Sequence, residues 1–210
     1  MHSAQRETYH HGDLRPALVR AARELLIEKG LEYFSLRAVA RRVGVSPAAP
    51  AYHFGDAAGL LTEVAIGGFE ELNRCMAERA AVGAQAPVER LHAFGQAYIR
   101  FAFANPPLFH LMFRKDKLRI TDALKASAIA AFSHLQAAVC EAAGVSEQCI
   151  GPDLLASMLA AWSMVHGFAH LALDGQFERF AVPNTLDSFC EIYIPLAIQQ
   201  LRFSEPKQVN

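Results

Sequence analysis

The sequence has no Cys-x-x-Cys pair, and its four cysteines, Cys75, Cys140, Cys149 and Cys190, stand far apart. That excludes a zinc cluster or redox dithiol built from near neighbours, and the thiols read as buried or idle. No His-Glu-x-x-His motif occurs. No Gly-rich phosphate loop, Ser-His-Asp order or pair of carboxylates can be assigned either, so nothing calls for an enzyme or a cofactor. No unbroken apolar run reaches the roughly 18 residues of a membrane span, and the N-terminus, MHSAQRETYHHGD, is polar and His-rich rather than signal-like. The chain reads as soluble and cytoplasmic, with no membrane partner. Alternating strand patterns, hairpin dipeptides, low-complexity tracts and internal repeats are missing too, which leaves an all-α fold as the expectation.

What is present is apolar mass and an uneven spread of charge. With 52% hydrophobic residues in 210, the chain can bury a substantial core. The net charge of -1 argues against a generally basic nucleic-acid-binding surface. Residues 1–55, however, hold eight cations against five anions, or +3, which leaves -4 for residues 56–210. Positive charge therefore gathers in the N-terminal quarter.

In that quarter, Ser35 to Phe54 has the pattern of a helix-turn-helix. Ser35 is a good N-cap, and Leu36, Val39, Ala40 and Val43 recur at helical spacing. Gly44 suits the left-handed end of the first helix. Ser46 then caps a second start, with Pro47 at its first helical position. Pro50 falls four residues in and should leave that helix short or kinked. Residues 13–29 form a supporting helix whose apolar face is Leu14, Leu18, Ala21, Ala22, Leu25 and Leu26, capped by Asp13 and ended by Gly30. A further helix begins after Asp56 and runs towards Ala81, with Leu60, Leu61, Val64, Ala65, Phe69 and Leu72 on one side. The organisation expected is a three-helix head at 1–55, a connecting helix at 56–82 and a C-terminal helical bundle at 83–210.

In the bundle, Pro87 opens a helix to about Ala104 that is apolar nearly all round. Asn105-Pro106-Pro107 breaks it, and a short aromatic helix follows at 108–113. Longer helices are expected from about Lys117 to Ala143, from Pro152 to about Leu173, and from Asn184, with Asp187 extending its cap, to about Phe203. Pro195 should kink the last of these. The aromatic residues Phe94, Tyr98, Phe101, Phe109, Phe113 and Trp162 fit two readings, an enclosed apolar pocket or a packed core. Trp162, His166 and His170 form one stripe along a helix, but no carboxylate or cysteine on that helix completes a metal set. The stripe therefore either pins helix packing or offers a ligand a hydrogen bond, with His110 near the same place. The last two helices carry Leu155, Met158, Leu159, Ala172, Phe189, Ile192, Tyr193, Leu196 and Ile198, more apolar surface than one small bundle needs. A second copy would bury it.

On these residues the sequence resembles the TetR family of bacterial transcriptional regulators. The carriers are YHHGDLRPALVRAARELLIEKGLEYFSLRAVARRVGVSPAAPAYHF in the head and AAWSMVHGFAHLALDGQF near the C-terminus, the latter similar to the WHG subfamily through Trp162, His166 and Gly167. The resemblance implies a homodimer that binds double-stranded, palindromic operator DNA as a repressor and releases it when a small apolar or aromatic effector enters the C-terminal domain. Within that frame the residues' own chemistry makes Arg37, Ser46, Pro47, Ala48, Ala51, Tyr52 and His53 the DNA-facing candidates, and Phe94, Tyr98, Phe101, Phe109, His110, Phe113, Trp162 and His166 the candidates around the effector. The chain departs from the family at Ala51, usually Tyr, at Tyr52, usually polar or basic, and at Ala57, usually Lys. Those losses remove phosphate contacts, so DNA binding should persist but weaken. The alternative they leave open is a dimeric ligand- or protein-binding helical protein with weakened or lost DNA binding. No Arg, Asn or Gln stands in 46–54, so direct base reading should be modest. Tyr52 and His53 remain the hydrogen-bonding candidates, Phe54 the packing one. For His53, packing and phosphate contact stay equally open. Arg6, His10 and His11 could reach a groove or the backbone from the N-terminal arm.

Overall fold

The computed structural model describes residues 14–81, 86–178 and 186–199, and every regular element among them is helical. Helix α1, Leu14–Lys29, buries Ala17, Leu18, Ala21, Ala22, Leu25 and Leu26, close to the face expected from periodicity. Asp13 lies outside the described residues. Helix α2, Leu36–Val43, starts where the Ser35 hydroxyl accepts the Ala38 N–H at 3.2 Å. It stops in a Schellman turn: Gly44 has φ 77°, Val45 N–H donates to Ala40 O at 3.0 Å, and Gly44 N–H donates to Arg41 O at 3.3 Å. Val39 and Ala40 are buried beneath it, with Val43 and Val45 half-buried against the same core.

Helix α3 is Ala49–Phe54, six residues, and begins later than the sequence suggests. Ser46 to Ala49 is a turn, closed by Ala49 N–H donating to Ser46 O at 3.0 Å, with Pro47 at its second position. The Ser46 hydroxyl therefore does not cap the helix. Pro50 is the reason: a residue without N–H is tolerated only in the first turn, so the helix has to start just before it. Pro50 is buried in that first turn and does not interrupt the helix. The short length follows the expectation; the kink does not occur.

Helix α4, Ala57–Ala81, opens with Asp56 Oδ1 accepting the Gly59 N–H at 2.9 Å. It packs on α1 and α3 at one end and on the bundle helices over the rest of its length. Arg15–Glu63 at 2.8 Å and Arg23–Glu71 at 2.7 Å tie α1 to it. These pairs are partly exposed and contribute about 0.2–1 kcal/mol each, so burial of the α1 and α4 leucines decides the packing. Two glycines in α4 mark close approaches. A Cβ on Gly59 would run into the Phe54 carbonyl oxygen, and one on Gly68 would meet Met112 Sδ at 2.8 Å.

The remaining helices are α5, Pro87–Ala104; α6, Pro106–Met112; α7, Asp122–Ala143; and α8, Pro152–Leu173. Helix α6 starts at Pro106 because two prolines fit a first turn without losing hydrogen bonds. Helix α7 starts at Asp122 rather than near Lys117. The Thr121 hydroxyl caps it by accepting the Leu124 N–H, and Leu118 before it is extended at φ -116°. The last described stretch, 186–199, is α-helical at Leu186–Ser188, π-helical at Phe189–Tyr193 and α-helical again at Ile194–Gln199. Pro195 is the second residue of the α-helical turn that follows, where its missing N–H is tolerated, and the distortion in this stretch is the π-segment just before it. Asn184 and Phe203 lie outside the described residues.

Leu18, Leu26, Leu60, Leu72, Ile99, Phe109 and Met158 are fully buried and belong to one contiguous core. All four cysteines are free. By mean hydropathy, 1.2 and 1.3 over their best windows, α7 and α8 are long and apolar enough to cross a membrane. Polar residues such as Ser133 and His134 in α7 and Ser157 and His166 in α8 break the apolar run while the mean stays high. Here α7 packs on α4 and α5, and α8 on α5 and α7.

Candidate nucleic-acid interface and interior cavity

The short α3 has little left to show after its packing needs are met. Pro50 and Phe54 turn inward, and the Arg15 guanidinium lies 5.0 Å over the Phe54 ring. Ser46, Pro47, Ala48 and Ala51 are exposed, and Tyr52 is 87% exposed. His53 is half-buried, its ring 5.3 Å edge-on from Tyr52 and 6.2 Å from Phe54. These residues form a continuous small-residue surface with one projecting phenol. It offers apolar contact and two hydroxyls, those of Ser46 and Tyr52, for hydrogen bonding.

The cations of the head divide into committed and uncommitted ones. Arg15 and Arg23 are paired across to α4, and Arg42 is held by Glu28 at 2.5 Å and Glu24 at 3.6 Å. Arg37 and Arg41 are exposed and carry no ion pair among the described residues. Four residues apart on α2, they share a face. The sequence reading singled out Arg37 alone; the four-residue spacing was the signal for Arg41. Tyr33, 76% exposed between α1 and α2, is a second projecting phenol that sequence reasoning passed over. Arg6, His10 and His11 of the N-terminal arm lie outside the described residues.

In the bundle, α4, α5, α7 and α8 with the loop after α6 enclose a cavity of about 580 Å³. Phe94, Tyr98, Phe113 and Trp162 are on its wall. Phe101, Phe109, His110 and His166 are not among the lining residues. Phe109 and His166 lie directly behind it. Phe109 is completely buried, and its ring lies 5.6 Å from Tyr98 and 5.3 Å from Phe113. His166 touches Phe113 at 4.5 Å between centroids and shares a 2.8 Å hydrogen bond between its Nδ1 and the Tyr98 hydroxyl. His170 stacks on at 4.5 Å from His166 and 5.2 Å from His110. Burial, with His170 close by, pushes His166 down to about 4, and burial also lowers His170. Burial raises the Tyr98 phenol. Both partners of the Tyr98–His166 bond are thus neutral at physiological pH. Among the described residues, no group of three or more His, Cys, Asp or Glu is placed to hold a metal ion. Of the eight residues expected around the effector, four therefore stand on the cavity wall and four do not.

The loop between α6 and α7 joins the cavity to the head. Leu118 and Ile120 line the cavity. Arg119 between them reaches the other way: Nη1 donates to the Phe54 carbonyl at 3.3 Å, and Nη2 pairs with Asp56 at 2.8 Å. Its own N–H donates to Thr62 Oγ1 at 2.9 Å. The Gly59 N–H and then Arg119 hold the Asp56 carboxyl below its usual range. Nothing in the sequence flagged Arg119, since its partners are 65 positions away or nearly so.

Residues 18–64 match the family model described as bacterial regulatory proteins, tetR family, and residues 91–194 match that described as tetracyclin repressor-like, C-terminal domain. No curated protein matches the chain. Among solved structures it is similar to a protein of unknown function from Rhodococcus sp. RHA1, at 29% identity and a TM-score of 0.76 over 93% of this chain and 98% of that one. It also shares the fold of the TetR family transcriptional regulator PfmR from Thermus thermophilus, at 24% identity and a TM-score of 0.63 over 88% and 98%. A TetR/AcrR family regulator from Thermobifida fusca is similar at 21% identity and a TM-score of 0.63 over 90% and 99%.

Proposed function

The chain belongs to the TetR family of bacterial regulatory proteins, and from that premise we propose that it is a cytoplasmic repressor released from a palindromic operator by a small effector. DNA-binding regulation of transcription and a homodimeric state come with the family. The effector site, the residue roles and the division into head, connecting helix and C-terminal domain at 1–55, 56–82 and 83–210 belong to the proposal, as does assignment to the WHG subfamily on Trp162, His166 and Gly167.

One observation carries the effector reading: Arg119 is flanked by two cavity-wall residues and bonded to the last carbonyl of α3. A ligand that displaces Leu118 or Ile120 cannot leave Arg119 where it is. Loss of its contacts frees the C-terminus of α3 and the N-terminus of α4 together, since Asp56 caps the latter. The ligand shifts the equilibrium only by its differential affinity for the two arrangements, so the effector must bind the displaced loop better than the docked one. On the DNA side, Ser46, Pro47, Ala48, Ala51 and Tyr52 face the major groove, His53 packs beneath Tyr52, and Arg37 with Arg41 contacts phosphates.

A gel shift against promoter DNA beside the protein's own gene tests the reading. A salt-sensitive shift by the intact dimer is the expected result. The alternative, a dimeric binder without operator affinity, is favoured by the exposed Ala51 and half-buried Ala57, which offer phosphates nothing. No shift at low salt from a dimer would select it.

A further inference from the structure

We infer that the effector is an apolar monocarboxylate, a hydrophobic body with one carboxylate held at the cavity mouth by Lys115 and Lys125. The inference rests on the reading of the cavity as the effector site. The wall is aliphatic, thioether and aromatic, apart from the Tyr98 hydroxyl and the Trp162 indole, and among the described residues its only charged side chains are Lys115 and Lys125. Both are exposed while lining the cavity, as are Ile120, Ile129 and Trp162, so its opening lies among these residues.

Charge around the opening is biased the same way. Residues 114–125 hold five cations and two anions, or +3, inside a region, 56–210, that sums to -4. Most of these cations are committed. Arg114 and Lys117 pair with Asp116, and Arg119 pairs with Asp56. Lys125 meets Asp122 at 3.2 Å, but both side chains are more than half exposed and water competes for the pair. Lys115 carries no ion pair among the described residues. One uncommitted ammonium and one weakly held ammonium thus sit on the rim of an otherwise apolar chamber.

That arrangement selects by charge and by position. A carboxylate deep in the chamber would lose its hydration without a partner, whereas one at the rim keeps water on one side and two ammonium groups on the other. The hydrophobic body then occupies a volume typical of small-molecule sites. A cationic amphiphile meets the same two ammonium groups as repulsion. Binding would also pull Lys115 and its neighbours Leu118 and Ile120 together over the ligand, the motion that the Arg119 link requires.

The chain's one tryptophan, Trp162, is on the cavity wall and reports occupancy by its emission. The full-length protein is titrated with decanoate, decanol and decylammonium, each below its aggregation limit, and binding is followed by Trp162 fluorescence and calorimetry. Decanoate is expected to bind about tenfold more tightly than decanol, the gain two rim charges can supply, with decylammonium weakest. The Lys115→Gln/Lys125→Gln double variant, altered only at exposed positions, should bind decanoate no better than decanol, the ratio of the two affinities within each protein being the readout. Equal affinity of the wild type for decanoate and decanol, or a preference that survives in the double variant, overturns the carboxylate assignment and leaves the cavity reading standing. Failure of all three probes to bind overturns both.

Discussion

Arg119 Nη1 lies 3.3 Å from the carbonyl oxygen of Phe54, so a residue of the α6–α7 loop closes the C-terminus of a helix in the DNA-binding head. The last carbonyls of a helix lack partners within it, and a guanidinium from elsewhere is a strong donor to them. The same side chain holds Asp56, the cap of the next helix. The end of α3 in the head and the start of the connecting helix α4 therefore both depend on a segment whose neighbours wall the cavity.

Arg119→Ala should therefore act on α3 more than on global stability. The lost hydrogen bond is worth about 0.5–1.5 kcal/mol and the exposed ion pair adds little, so the protein stays folded. Amide exchange at Tyr52, His53 and Gly55 should accelerate, and operator affinity should fall severalfold. Exchange and affinity both matching the wild type would show that the link does not order α3.

Arg37→Ala should lower affinity for every DNA sequence alike and make the salt dependence shallower. Each phosphate contact contributes about 0.9 to the slope of log K against log salt, so a dimer losing one per subunit changes by about two. Arg41→Ala, on the same face, should behave similarly. A slope identical to the wild type's removes the residue from the interface.

Leu159→Glu tests the dimer face. In the single chain Leu155, Leu159 and Trp162 are 44%, 45% and 38% exposed along α8, and Ile192 and Leu196 are 50% and 53% exposed on the last helix. Met158 and Ala172 are buried instead, while Leu171, near the C-terminal end of α8, is 46% exposed. The Phe189 and Ile198 side chains lie outside what the structure describes. A carboxylate at Leu159 should yield a folded monomer by sedimentation and sharply reduce operator binding, because one head engages only one half-site. A stable dimer would place the interface elsewhere.

His166 makes stability pH-dependent. Its value is about 4 in the folded chain against 6.5 when exposed, so the unfolded state binds the extra proton first. The contribution is intact above pH 6.5 and is lost progressively as pH falls towards 4. Melting temperature should drop between pH 7 and 5, and drop less in His166→Asn, since His170 and His92, lowered in the same direction, remain. Equal drops in both proteins would mean that His166 is not the group that titrates.

Much of the head was legible because its signals are local. A Ser cap, a left-handed glycine and an apolar 3.6-residue period are read within a few positions of the residues they organise, and Ser35, Gly44 and Asp56 act as that logic requires. The start of α3 was misread by two residues because two prolines competed for the first turn. Only Pro50 takes it, and Pro47 takes the turn instead.

The aromatic content of α5, α6 and α8 was equally visible, but wall and core could not be separated from spacing alone. Phe109 and Phe113 are one helical turn apart, yet one is completely buried behind the layer that the other helps to form. Which face of a helix meets a void depends on where its neighbours stop.

The sequence by itself thus determined the all-helical fold, the Ser35 and Asp56 caps and the Gly44 stop, since these depend on residues within about one turn of one another, and it showed the uneven placement of charge directly. The tertiary structure alone decided that Lys115 and Lys125 rim an apolar chamber, that His166 bonds Tyr98, and that Arg119 reaches Phe54. Those relationships join positions 65 or more apart or the two sides of a loop, and only packing, driven by burial of the shared core, brings them within bonding distance.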